Sequence, residues 1–160
     1  FASNGELRAG KMSLYEGGIR VPMVARWPGR IAPKSESDHV VTAYDMLPTL
    51  SAAAGAKYPK VDGQNMLSVF TGKPKKERTF AYFEYPEASV MQAVIFGRYK
   101  AIRPKLSKEI SPLEIYDLIA DPSEKKDLAG ERPDLVRKAS EILSREHKPN
   151  KLFPLGKIDQ

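Results

Sequence analysis

Apolar positions along this chain fall into distinct rhythms. From Arg20 to Trp27 they run together as RVPMVARW, bounded by Gly-Gly and Pro-Gly, which predicts a short buried strand covered on both faces. Further on, Val41, Tyr44, Leu47 and Leu50 recur at helical spacing and Gly55 supplies a stop. Pro48 is tolerated only in a first turn, so the regular helix should start close to Asp45. Strand followed by helix is the unit of an α/β layer. Beyond Tyr58, proline and glycine punctuation leaves a short helical turn at Asn65 to Phe70. Three strand-like runs follow, TFAYFEY, MQAVIFGRYKAIRP and PLEIYDL, with Gly97 as a hairpin turn or bulge, and they predict a small antiparallel sheet. RPDLVRKASEILSREH then reads as an amphipathic helix lying on that sheet. Pro133 occupies its first position, Asp134 sits at the positive end of the dipole, and Leu135, Ala139, Ile142 and Leu143 share one face. Residues after Pro149 read as an irregular tail, and there is no internal repeat.

Composition narrows the class without changing this picture. A chain of 160 residues makes one or two compact units; folded as one, it would bury about 70% of its unfolded surface. Its apolar share of 41% and charged share of 29% are those of a globular protein. No apolar run approaches the ~20 residues of a membrane span. The chain begins with Phe1 and shows no leader, so a piece of a longer protein is expected. Cysteine is absent, which excludes a disulfide framework and thiolate metal sites and leaves the compartment open. The net charge of +6 invites a polyanion reading, but the charges are scattered. The densest basic run, GKPKKER at 72–78, is broken by proline and glutamate and lacks aromatic neighbours, so it predicts a solvated linker and no nucleic-acid site.

The chemistry concentrates in AGKMSLYEGGIRVP, residues 9–22. Gly17 and Gly18 together cost a helix roughly 2 kcal/mol relative to alanine, so a shaped loop is expected there. Gly10, Lys11, Tyr15, Glu16, Gly17, Gly18, Ile19, Arg20, Val21, Pro22, Trp27, Pro28 and Gly29 together resemble a signature of the sulfatase family. Asp45-x-x-Pro48-Thr49-Leu50, Asp62-Gly63, Tyr116-Asp117-Leu118 and Asp121-Pro122-x-Glu124 resemble later motifs of the same family. The resemblance implies an α/β fragment, the end of an alkaline-phosphatase-like mixed sheet (residues 1–72), followed by a small antiparallel sheet packed by a C-terminal helix (73–160). It implies the C-terminal part of a sulfatase acting on a sulfated small molecule or glycan. The missing N-terminal portion would be its partner, and family members are often periplasmic or secreted.

In the resembling family, the lysine matching Lys11 contacts the sulfate group. A compact ammonium with three donors suits the negative charge that grows on ester oxygens during cleavage. FASNG resembles the family's Ser-Asp-Asn-Gly, whose aspartate and asparagine bind calcium through oxygen. Asn4 matches as a metal ligand, whereas Ser3 stands where the aspartate would be. The family nucleophile is a formylglycine made in a Cys/Ser-x-Pro-Ser-Arg context, which this chain lacks; its single Pro-Ser is Pro122-Ser123. This fragment alone is therefore expected to be inactive.

Other candidates have plainer readings. Glu16 and Arg20 read as scaffold charges. His39 reads as a capping or surface group, and His147 as a favourable charge at a helix C-terminus. Tyr82, Phe83 and Tyr85 read as packing against the closing helix rather than as a sugar platform. Glu84 and Glu87 form a weak candidate pair for glycoside hydrolysis. A non-catalytic binding module, or a phosphoester or phosphonate hydrolase of the same superfamily, are the rival functions, the Ser3 departure favouring the former.

Overall fold

In the computed structural model, residues 4–73 and 78–160 are described. The expectations placed on Phe1-Ala2 as a strand end, on Ser3, and on the middle of the 72–78 basic run lie outside them. The elements follow in the order α1 (Glu16–Ile19), α2 (Met46–Ala53), α3 (Leu67–Phe70), β1 (Ala81–Tyr85), β2 (Met91–Phe96), β3 (Tyr99–Arg103), β4 (Glu114–Asp117) and α4 (Pro133–Glu146). Two compact units emerge: the described residues up to Val21 join Thr79–Gln160, and Pro22–Arg78 forms the other.

In the first unit, β1 to β4 make one antiparallel sheet in sequence order. Gly97 and Arg98 form the turn between paired Phe96 and Tyr99, and Gly97 takes the positive φ (60°) that a primed hairpin turn needs. Strict alternation gives the sheet two apolar faces. Val94, Phe96, Ala101 and Ile115 point toward Leu135, Ala139, Ile142 and Leu143 of α4, the helix face expected from its spacing. Met91, Ala93, Ile102 and Tyr116 point the other way, against Leu14 and Tyr15. Each fully buried aliphatic side chain of these layers contributes about 1.5–3 kcal/mol. The aromatics of β1 divide accordingly. Tyr82 packs on the helix side, while Phe83 and Tyr85 face the opposite layer, so only the first follows the expected packing against α4.

The tail is irregular, as expected, apart from one 3-10 turn at Gly156–Ile158, yet it is packed down. Leu155 is fully buried with Val90 and Leu106, and the Lys157 N–H donates to the Leu106 carbonyl at 2.7 Å. His147 ends α4 and reaches Glu84 of β1 through Nδ1 (2.6 Å) and Asp159 of the tail through Nε2 (2.7 Å). It is thus a clamp between three elements rather than a lone charge at a helix end. Glu84 also accepts from the Tyr82 hydroxyl, so it is committed to this network and not to a pair with Glu87.

The second unit is organised by Asp45. Its carboxylate accepts from the Thr42 N–H and hydroxyl (2.8 and 2.7 Å) and from the Gln64 N–H (2.7 Å), and it pairs with Arg78 at 3.0 Å. Burial pushes its pKa up, but these hydrogen bonds and the Arg78 charge outweigh it and hold the group below its ordinary value. Helix α2 starts next to Asp45 and ends before Gly55 (φ 67°), as its punctuation predicts. Two expectations fail here. Residues 20–27 form no strand and have no strand partner among the described residues, and Val24 is 94% exposed; a strand exists only where a neighbour takes its backbone hydrogen bonds. Leu47 and Leu50 are exposed, while Pro48 and Thr49 are the buried positions of α2.

The His147 clamp carries a pH dependence. Burial opposes the imidazolium, but hydrogen bonds to Glu84 and Asp159, and their charges, raise its pKa above 6.5. A folded value above the unfolded one means that this stabilisation is complete below the unfolded pKa and lost as pH rises through the folded pKa. Urea denaturation from about pH 6 to about pH 9 should show stability falling, and His147→Gln should flatten that fall.

Candidate functional site

Residues 8–17 form a closed loop whose ends meet where the Gly17 N–H donates to the Arg8 carbonyl at 2.8 Å. Lys11 lies near its apex and is exposed. Ala9 (φ 59°) and Met12 (φ 71°) flank it in the left-handed region, which is costly for residues with a side chain and clusters at functional sites. Asn4 is half-buried against this loop and its amide donates to the Ala9 carbonyl. Lys11 and Asn4 thus belong to one neighbourhood, Asn4 Nδ2 lying 3.5 Å from where a side chain on Gly10 would begin. Lys11 makes no ion pair among the described residues.

The two glycines lie in a helical turn where a shaped loop was expected. Glu16–Ile19 is a helical turn, in which Gly18 N–H donates to Tyr15 O and Arg20 N–H to Glu16 O, both at 2.8 Å. Neither glycine has positive φ. They are required by close approach instead. A Cβ on Gly17 would lie 2.5 Å from Arg8 O and 2.6 Å from Asn4 Nδ2, and one on Gly18 would lie 2.6 Å from Gly10 O and collide with Ser13 O. Tertiary packing overrides helix propensity.

Two polar arrays fasten the loop to the sheet. At its start, the Arg8 guanidinium lies 3.9 Å over the Tyr15 ring and donates to Tyr116 Oη at 2.6 Å and to the Glu124 carbonyl at 3.2 Å. Tyr15 and Tyr116 both donate to Glu114 Oε2, at 2.6 and 2.7 Å. Burial first, then the bond to Glu114, pushes both phenols up, so they stay protonated donors. At its end, Glu16 is buried and pairs with Lys100 Nζ at 3.0 Å, which also reaches Glu124 Oε1 at 2.9 Å; the Glu16 N–H donates to Glu124 Oε2 at 2.6 Å. Burial raises the pKa of Glu124 against the opposing pull of Lys100. Arg20 approaches Glu16 at 3.8 Å, so both expected scaffold charges act as such.

Sequence reading missed Arg8, Lys100 and Glu114, and singled out Tyr116 and Glu124 only as members of family-like motifs, without a role. The one signal for Lys100 is its placement by period two on the same strand face as Ile102, an inward position for a charge. His39 is half-buried with Nε2 unpartnered among the described residues, and the capping expected of it is done by Thr42 and Asp45. No group of three or more His, Cys, Asp or Glu side chains among the described residues is arranged to hold a metal ion. Calcium takes six to eight oxygens, so Asn4 would be one ligand of a site needing most of its donors from outside the described residues. No helix among them is long and apolar enough to cross a membrane.

Comparison with known proteins gives this geometry a context. Residues 8–147 match the family described as N-sulphoglucosamine sulphohydrolase, C-terminal. The chain is 35% identical to human arylsulfatase A over 87% of its own length and 32% of that protein. It is 31% identical to an N-acetylgalactosamine-6-O-sulfatase of Bacteroides thetaiotaomicron, over 87% of this chain and 29% of that one. A solved structure from a Bacteroides thetaiotaomicron locus for metabolism of multiple glycosaminoglycans superposes with a TM-score of 0.72 at 28% identity, covering 88% of this chain and 32% of its own. The chain therefore spans about a third of the length of these relatives.

The close approach of the glycines makes a stability prediction. Gly18→Ala should destabilise by about 1–3 kcal/mol as an overpacked site. Gly130→Ala, with open space around it, should stay within about 0.5 kcal/mol of the parent. Equal urea midpoints for the two variants would refute the packing argument.

Proposed function

The chain belongs to the sulfatase family, as the C-terminal α/β part of its alkaline-phosphatase-like fold, and from that premise we propose that the whole protein hydrolyses sulfate monoesters with Lys11 as a sulfate-binding group. The observation that carries this reading is the exposed ammonium on a closed loop, flanked by two strained residues and anchored at both ends. Hydrolysis breaks a sulfate ester to an alcohol and inorganic sulfate, and negative charge builds on the bridging oxygen as the bond opens. An ammonium already held beside that oxygen stabilises the charge without reorganising at the moment of reaction. The nucleophile, a formylglycine by family likeness, would come from outside this chain.

Substrate class follows the relatives by likeness: arylsulfatase and N-acetylgalactosamine-6-O-sulfatase act, by name, on sulfated aryl and amino-sugar compounds. Asn4 would offer its carboxamide oxygen as one calcium ligand, and the rest of the ligand set belongs to the missing portion. In the intact protein, residues 1–72 would complete the large α/β domain and 73–160 form the small one. Exposed Val21, Met23, Val24, Leu47 and Leu50 support that arrangement, since a covering layer would bury them.

Turnover of an aryl sulfate by the full-length protein tests the reading. Lys11→Ala should lower kcat by roughly 10²–10³-fold, the usual effect of losing one preorganised donor to developing charge, with the unfolding midpoint unchanged. Undiminished turnover removes Lys11 from the mechanism. Faster turnover of the matching aryl phosphate would reassign the protein to phosphoester hydrolysis.

A further inference from the structure

Resting on the sulfatase reading of Lys11, we propose that Lys100 and Glu124 are positioning residues for that lysine, a latch that sets where the loop of residues 8–17 presents its ammonium. Glu124 touches both stems of the loop. Its carbonyl accepts from Arg8 Nη1 at 3.2 Å, at the entry, and its Oε2 accepts from the Glu16 N–H at 2.6 Å, at the exit. Glu124 itself sits at φ 55°, a backbone shape that costs energy and persists only when its surroundings hold it. Lys100, with no exposed surface, ties the carboxylates of Glu16 and Glu124 together at 3.0 and 2.9 Å.

Stability alone does not account for this choice of residues. The same sheet face is otherwise lined by Met91, Ala93 and Ile102. Apolar side chains of similar volume in place of the ionic array would hold the loop as strongly or more so, because desolvating three charges offsets most of their attraction. The hydrogen bonds of the array, from Lys100 Nζ to Glu16 Oε1 and from the Glu16 N–H to Glu124 Oε2, differ in kind: they weaken steeply with misalignment, so they favour one placement of the loop, whereas aliphatic contact tolerates sliding. Lys11 is five residues from Glu16 and three from Arg8, so a shift at either stem moves the ammonium. Misplacement of a reacting group by about 1 Å can cost ~10²-fold in rate.

A double-mutant cycle in the full-length protein, assayed with an aryl sulfate, tests this. Glu124→Gln keeps the shape of the side chain and one carbonyl oxygen; Lys100→Met removes the cation. In the presence of Lys11 each should lower kcat by roughly 10–100-fold with a smaller change in KM. In the Lys11→Ala background the same changes should alter the residual kcat by no more than about twofold, because the group they position is gone. Equal losses in both backgrounds would make the latch merely structural and overturn the proposal while leaving the Lys11 reading intact. Loss of the fold in both variants would overturn it too. If Lys11→Ala alone has no effect, the failure lies with the sulfatase reading of Lys11, and the positioning role falls with it.

Discussion

One buried ammonium governs the arrangement. Lys100 lies beneath the sheet face with two carboxylates as its partners and no exposed surface. One carboxylate belongs to the loop of the Lys11 motif, the other to the turn after β4. A charge in that position is tolerable only while both partners stay in place, since one left unpaired in a dry interior costs several kcal/mol. The loop, the sheet and the β4 turn are therefore bound to a common geometry. None of the three can shift without exposing the other two to that penalty.

The sheet explains why such a clasp is needed. Antiparallel sheets often leave one face to solvent, but here α4 covers one side and Leu14 and Tyr15 cover the other. A ten-residue loop cannot bury as much apolar surface as a helix of fourteen residues. Directional contacts supplement it: the Arg8, Tyr15, Glu114 and Tyr116 array at one stem and the lysine latch at the other. Gly17 and Gly18 complete the closure, because only hydrogen atoms fit between the α1 turn and the carbonyls of Arg8, Gly10 and Ser13.

Local order was the part legible in the sequence. The three strand-like runs, the start of α2 beside Asp45 and the face of α4 all follow from periodicity and punctuation, which act over a few residues; of the two options left for Gly97, turn or bulge, the turn splits the second run into two strands. Three misreadings share one cause. The Gly-Gly turn became helical, residues 20–27 stayed unpaired, and His147 became a clamp, each decided by contacts that periodicity along the chain does not show. The latch was illegible for the same reason. Glu16 contacts Lys100 across 84 positions and Glu124 across 108, and nothing in YEGG, YKAIR or DPSEKK reveals that they meet. Family likeness singled out Lys11 and Asn4, but it said nothing of what holds their loop.

Lys11 and Lys100 show how far environment divides identical side chains. Both carry a compact, rotatable ammonium. At position 11 it stands exposed between two strained residues, where a tetrahedral anion could approach without displacing a protein carboxylate. At position 100 it is fully buried, hydrogen-bonded to Glu16 and paired with the Glu124 carboxylate, so it has little left to give a ligand. Binding an anion and holding a loop are incompatible uses of one ammonium, since the partner that fixes it also neutralises it. On the reading proposed for Lys11, a loop that presents a cation is anchored through other residues, and Glu16, at the end of the loop, takes that load through Lys100 and Glu124.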